Sequence, residues 1–220
     1  MPELPYTSRA SRAVASTLRR LEAPYLAQDG FARQALAELR RASPGDITDS
    51  PYTWPYVFQS LAGQSSGDEW DGGATPTEKA VHAALSLWAA HQQSGSTPVN
   101  REGVSLGRAA GVLSGKLKRD GEAIDAGVLR RFAAVTTATS FPAQMRALSQ
   151  LVSLFRANGV TLDYPRLAAD LKNLQEPERR QRVLVRWARD FHRGGAPSNE
   201  ATAESETTTA TTVSSTQEQE

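Results

Sequence analysis

Apolar residues recur at intervals of three and four along most of this chain, with polar positions between them, the period of helices that pack by one face. Ala10, Val14, Leu18 and Leu21 set the rhythm over residues 8–21, and Phe31, Ala35, Leu36 and Leu39 continue it over residues 31–41. Thr75-Pro76-Thr77-Glu78 is a helix start: Thr75 as N-cap, Pro76 at the first helical position and Glu78 closing a capping box. Val81, Ala84, Leu85 and Trp88 then form one stripe up to about Gln93, which puts His82 on the polar side. Ser105 caps a segment carrying Leu106, Ala109, Ala110, Leu113 and Leu117.

Residues 125–135 form a short helix with Val128, Leu129 and Phe132. Ser140 and Pro142 open a longer one through Met145, Leu148, Leu151, Val152 and Phe155, closed by Asn158-Gly159. Asp163 caps Leu167 and Leu171, and Glu176-Pro177 begins the last helix. In that helix Arg179, Arg182, Arg186, Arg189 and Arg193 form one stripe, and Val183, Leu184, Trp187 and Phe191 another. Only residues 99–104 hint at alternation. The pattern predicts an all-α, bundle-like fold with short connections and antiparallel neighbours.

Two stretches break the pattern: residues 64–75, with Gly67, Gly72 and Gly73, and residues 94–103, with Gly95, Pro98 and Gly103. After Arg193 the composition turns to Thr, Ser, Glu and Gln with one aliphatic residue, Val213, which predicts a disordered tail. That tail holds Glu200, Glu204, Glu206, Glu218 and Glu220 and no basic residue. All 25 Lys and Arg and 19 of the 24 acids therefore fall in residues 1–193, so a formal charge of +1 conceals +6 in the helical part. Only Lys79, Lys116, Lys118 and Lys172 are lysines; the arginine fork suits phosphate better.

Candidate chemistry is sparse. The absence of cysteine excludes disulfides, thiolate metal sites and thiol nucleophiles. His82, His91 and His192 belong to no metal or catalytic motif, and Ser65 and Ser66 lack a nucleophile elbow. Gly103, Gly107 and Gly111, four apart, match no phosphate loop and read as close helix packing; Asp68 with Asp71 and Glu176 with Glu178 read as solvated or capping acids. No apolar run approaches a membrane span and residues 1–15 hold no signal core, so the expectation is a cytoplasmic, non-membrane protein. It should be no enzyme, with no catalytic residue, metal or cofactor. Tyr52, Trp54, Tyr56 and Phe58 crowd a Pro-punctuated segment without interleaved cations and read as core packing rather than a base-stacking platform.

The remaining signal is positive charge. Arg40 and Arg41 close their helix, where cations also suit the dipole. Arg108 sits in a first turn, where a cation is disfavoured, which points to an external anion or a buried acid. Lys116, Lys118 and Arg119 read as solvated. Arg130 and Arg131 precede Phe132, and Arg146 follows Met145. The C-terminal stripe, with Arg182, Arg186 and Arg189 at its centre, offers repeated charge to a phosphate backbone, part of it open to pairing with Glu178 or Asp190.

An ordered set of blocks carries a resemblance over roughly residues 10–193: Ala37-Glu38-Leu39-Arg40-Arg41-Ala42, Thr53-Trp54-Pro55-Tyr56-Val57, Gly103-Val104-Ser105-Leu106-Gly107-Arg108-Ala109, Arg130-Arg131-Phe132, Met145-Arg146-Ala147-Leu148, Leu162-Asp163-Tyr164 and Arg186-Trp187-Ala188-Arg189-Asp190-Phe191. The chain resembles the CasB family, the small subunits of type I-E CRISPR surveillance complexes (Cascade). The resemblance implies a non-enzymatic protein of two small packed helical subdomains divided near residues 94–103, hence 1–95, 96–193 and the tail 194–220. It implies that two copies pack head to tail beside the other Cascade subunits that hold the CRISPR RNA. Basic patches would contact the target and displaced DNA strands and stabilise the R-loop, with Arg40, Arg41, Arg108, Arg130, Arg131 and Arg146 as the carried-over contacts. Arg182, Arg186 and Arg189 are added from the stripe itself. The rival reading is a purely architectural subunit that touches only protein. The tail and the Gly-rich stretch 64–75 depart from the family pattern.

Overall fold

Short polar side chains start most of the helices. In the computed structural model, which describes residues 8–63 and 72–195, Ser8, Asp29, Thr75, Ser105, Asp125, Ser140 and Asp163 each accept a backbone N–H three residues on. They open α1 (Arg9–Leu26), α2 (Gly30–Arg41), α4 (Pro76–Gln92), α5 (Leu106–Leu117), α6 (Ala126–Thr137), α7 (Phe141–Ala157) and α8 (Tyr164–Leu174). The capping box is present in full: Thr75 N–H donates to Glu78 Oε2 at 2.8 Å and Glu78 N–H to Thr75 Oγ1 at 3.2 Å. Proline replaces the side-chain cap in α3 (Trp54–Leu61), which follows a 3-10 turn at Pro51–Thr53, and in α9 (Pro177–Gly194). Among the described residues there is no strand. One isolated parallel bridge, Asn100 to Leu162, falls in the ambiguous stretch 99–104. The fold is all-α, as the periodicity predicts.

Helix α4 is the axis of the core. Its run of alanines lets α1, α2, α3, α7 and α8 approach from different sides, and residues 80–89 are all buried. This overturns the reading of His82 as a surface residue: the ring is fully buried and neither nitrogen has a hydrogen-bond partner among the described residues. A single apolar stripe assumes one packed face, and α4 has none exposed. His91 is buried too, with Nδ1 2.8 Å from the Tyr164 hydroxyl.

Four further expectations of burial fail. Phe31, in the first turn of α2, is 65% exposed because no neighbouring element covers it. Leu117 ends α5, and Leu129 lies one position off the inward line Val128, Phe132, Val135; both are exposed. The aromatic segment 51–58 is helical at its end and turns Tyr56 and Val57 inward, leaving Tyr52, Trp54 and Phe58 in solvent at 76%, 41% and 45% exposure. Helix α1 also runs beyond residue 21 through Pro24, which gives up one hydrogen bond to the carbonyl of Arg20 near the helix end.

Helices α5 and α9 cross at backbone contact. A Cβ on Gly107 would stand 2.0 Å from the Trp187 carbonyl oxygen, one on Gly111 2.1 Å from that of Phe191, and one on Gly194 2.4 Å from that of Arg108. The glycine spacing thus is close helix packing, except at Gly103, which occupies a turn with φ of +80°. On the same face α9 buries Val183, Trp187 and Phe191, the last stacked on Phe132 at 5.0 Å.

Helix α8 packs on both α1 and α4, so core contacts cross the loop at residues 95/96; the two-subdomain division stands as a proposal about chain organisation. The tail expected to be disordered from residue 194 begins later, since Gly194 closes α9 and Gly195 is its C-cap; the rest of it and most of the 64–75 stretch lie outside the described residues.

Gly107→Ala or Gly111→Ala should cost about 3 kcal/mol, since a methyl group has to force two backbones apart. Gly115→Ala is the internal control: its Cβ would meet nothing nearer than 3.9 Å, so chemical denaturation should find it neutral or stabilised by up to about 1 kcal/mol.

Burial lowers both His82 and His91 from 6.5 to about 4. Above pH 7 the rings are neutral in the folded and unfolded chain alike. Below pH 6.5 the unfolded chain takes up protons that the folded one refuses until about pH 4. Stability should fall in that window by up to ~1.4 kcal/mol per pH unit per histidine. Thermal unfolding between pH 7 and 5 should show the slope, and His82→Leu should reduce it; an unchanged slope would contradict the assignment.

Candidate nucleic-acid interface

The glycine face of α5 is consumed by α9, and this decides where its cations go. Arg108, Val112 and Lys116 each follow one of Gly107, Gly111 and Gly115 by a single position, about 100° around the helix. Their stripe therefore turns away from α9 and faces the loops on either side of residues 100 and 160. Arg101, Glu102, Gly103 and Val104 from one loop, and Gly159, Val160 and Thr161 from the other, complete a cleft of about 430 Å³.

The loops are held by a small lattice. Arg101 N–H donates to the Leu162 carbonyl at 3.1 Å, Leu162 N–H to Val99 at 3.0 Å, and Asp163 N–H to Val104 at 2.9 Å. The buried Asp163 carboxylate splits its oxygens: Oδ1 caps α8 through Arg166 N–H at 2.9 Å, and Oδ2 accepts the Gly103 N–H at 2.8 Å. Asn100 Oδ1 accepts the Tyr164 N–H at 3.0 Å. Residues sixty positions apart thus form one rigid wall.

Arg101, Arg108 and Lys116 are exposed and form no ion pair among the described residues; Lys116 Nζ donates to the Asn158 carbonyl at 2.9 Å. Glu102 is the one acid lining the cleft among the described residues. A second cleft, of about 250 Å³, shares the wall Gly159-Val160-Thr161 and is lined by Arg156 and by Gln93, whose Oε1 accepts Arg40 Nη1 at 3.1 Å. Arg40, Arg156, Arg101, Arg108 and Lys116 therefore border two adjoining hollows. Such a row of unneutralised cations can hold a polyanion by charge without reading its sequence.

Of the residues marked in the sequence, Arg108 lines the first cleft and Arg40 borders the second. Arg41, Arg130, Arg131 and Arg146 are exposed and line neither, and Arg131 Nη1 bonds its own helix at the Gly127 carbonyl, 3.1 Å away. The C-terminal stripe divides. Arg182 and Arg189 are exposed without an acidic partner among the described residues, while Arg179 pairs with Glu176 and Arg193 with Asp190. Arg186 is bound to the buried Asp170, whose other oxygen accepts Trp187 Nε1 at 2.7 Å. Burial pushes the Asp170 carboxyl above its ordinary value against the pull of Arg186. That arginine is a structural counter-ion, and its charge is spent. Arg101 escapes the sequence reading because the pairing of residues 100 and 162 brings its loop to Arg108; Arg156, in the last turn of α7, lines the second cleft. Lys116, read there as merely solvated, belongs to the cleft. Among the described residues no cluster of His, Asp and Glu could hold a metal, and no helix is long and apolar enough to cross a membrane.

The comparisons with known proteins agree on one family. The model described as CRISPR-associated protein Cse2 matches residues 35–192. The crystal structure of CasB from Thermobifida fusca superposes with a TM-score of 0.72 at 27% sequence identity, covering 84% of this chain and 98% of that one. CasB from M. ruber superposes with a TM-score of 0.55 at 24% identity, covering 92% and 98%, a likeness of fold. No curated protein sequence matches.

Arg186→Ala should lower stability by about 2 kcal/mol, because it strands a buried carboxylate. Arg182→Ala and Arg189→Ala should stay within about 0.5 kcal/mol of the parent. Urea unfolding of the three variants checks the division of the stripe.

Proposed function

The chain belongs to the Cse2 family of CRISPR-associated proteins, and from that premise we propose that it is a non-catalytic small subunit of a type I-E CRISPR RNA-guided surveillance complex. It works with the other Cascade subunits and a second copy of itself, in the cytoplasm. Its task is to bind the backbones of the target and displaced strands and so stabilise the R-loop. Strand exchange between guide and target is nearly balanced in free energy, so modest backbone contacts are enough to tip it.

The observation that supports this reading is the gathering of Arg101, Arg108 and Lys116 in one cleft without acidic ion-pair partners among the described residues. A cation in the first turn of α5 opposes the helix dipole, and a phosphate in the cleft supplies the missing attraction. Arg40, Arg41, Arg130, Arg131, Arg146, Arg182 and Arg189 extend the charged surface and serve as secondary contacts.

One observation favours a second reading, an architectural subunit that touches only protein. Tyr52, Trp54 and Phe58 are exposed together, with Trp54 set edge-on to Phe58 at 6.3 Å. Such a patch suits a protein partner better than a phosphate backbone.

The two readings part on one measurement. In the assembled complex, Arg108→Ala with Lys116→Ala should weaken binding of matched target DNA about tenfold or more at low salt, equally for every matched sequence. The slope of log affinity against log salt should fall by about 1.4 to 1.8 for two lost phosphate contacts. Unchanged affinity and slope, with the complex still assembling, would favour the architectural reading.

A further inference from the structure

An acid stands among the cations of the first cleft, and a fixed turn presents it there. The Val104 N–H closes residues 101–104 on the Arg101 carbonyl at 3.4 Å, and Gly103 takes φ of +80°, the signature of a type II turn. The Gly103 N–H is pinned to the buried Asp163 carboxylate at 2.8 Å, so Glu102 stands at the tip of a turn held from behind. Glu102 is exposed, and its side chain forms no hydrogen bond or ion pair among the described residues. In a site built for phosphate alone, that carboxylate repels the ligand and gains nothing. The cleft is also larger than phosphate contacts need: about 430 Å³ falls among pockets that enclose a small organic ligand, roughly 300–1,000 Å³. Val104 and Val112, both half-buried, give it an apolar lining beside the cations.

We infer that the cleft seats one unpaired guanine nucleotide of a strand, its phosphate on Arg101, Arg108 and Lys116 and its base edge on Glu102. The inference rests on the reading of that cleft as the phosphate site and adds what lies beside the phosphate. Guanine alone among the DNA bases carries two adjacent donors, N1–H and the N2 amino group, on its pairing edge. The two oxygens of a carboxylate accept that pair side by side. Adenine and cytosine set an unprotonated ring nitrogen against the second oxygen, and thymine flanks its single N–H with two carbonyls. The face of the ring lies on Val104 and Val112, out of water. In a duplex the same edge is taken up by cytosine, so the slot accepts guanine only from a single strand. The phosphate contacts stay blind to sequence, and only the nucleotide in the slot is read.

The test measures binding of the full chain to three labelled strands of equal length: alternating d(TG), the same strand with inosine for guanine, and oligothymidylate. A two-bond base contact gives a preference of about tenfold, and d(TG) offers guanine in half its registers, so it should bind about fivefold tighter than oligothymidylate at low salt. Inosine keeps N1–H but lacks the amino group, so its strand should fall most of the way back to oligothymidylate. Glu102→Gln should bring the three affinities within about twofold of one another. It should also tighten oligothymidylate, because the repulsion is gone. Equal binding of d(TG) and oligothymidylate by the parent, an inosine strand as tight as d(TG), or a guanine preference that survives Glu102→Gln overturns the inference while leaving the phosphate site standing. Guanosine monophosphate that competes as strongly as d(TG) overturns the strand as the source of the nucleotide. Arg108→Ala with Lys116→Ala should weaken all three strands together; if none weakens, the phosphate site itself falls.

Discussion

Two helices meeting with no side chain between them is the constraint on which the rest of this structure depends. Gly107 and Gly111 bring the backbone of α5 against the Trp187 and Phe191 carbonyls. That contact fixes the rotation of α5 about its own axis. With the glycine side committed, the stripe of Arg108, Val112 and Lys116 has one direction left, outward and toward the loops at residues 101–104 and 159–161. The same contact seats Trp187 where its indole N–H reaches Asp170 at 2.7 Å and stacks Phe191 on Phe132. Packing here is what places charge.

Arginine serves two opposed purposes in α9. Arg186 sits against a carboxylate withdrawn from water, where losing either partner strands the other. Arg182 and Arg189, on the same stripe, carry exposed charge with no acid against it among the described residues. A regular spacing of three and four describes all of them equally well. The difference comes from Asp170 on α8, which no property of α9 reveals.

The fold was largely legible in the sequence because its signals are local. A capping serine, threonine or aspartate and a 3.6-residue period report on a few turns at a time, and those helices are present where the pattern puts them. Errors occurred where burial depends on several neighbours at once. Buried on all sides, α4 hid His82, while Phe31, Leu129 and the aromatic segment lay on faces that no other helix covers. The candidate site was legible only in part: Arg108 stood out because its charge opposes the dipole of its own helix, a local conflict. Arg101 could not be found the same way, because its place beside Arg108 comes from a bridge between Asn100 and Leu162.

That bridge also sets a timetable. Its two halves lie some sixty residues apart, with α5, α6 and α7 between them. Closing so wide a loop costs entropy that is recovered only when Asp163 reaches Gly103 and the start of α8 together. A nascent chain that has left the ribosome only as far as α7 already carries Arg101, Arg108 and Lys116 but has no wall to set them against. Electrostatic grip is thus acquired late in synthesis, after most of the helices that bear it have already emerged.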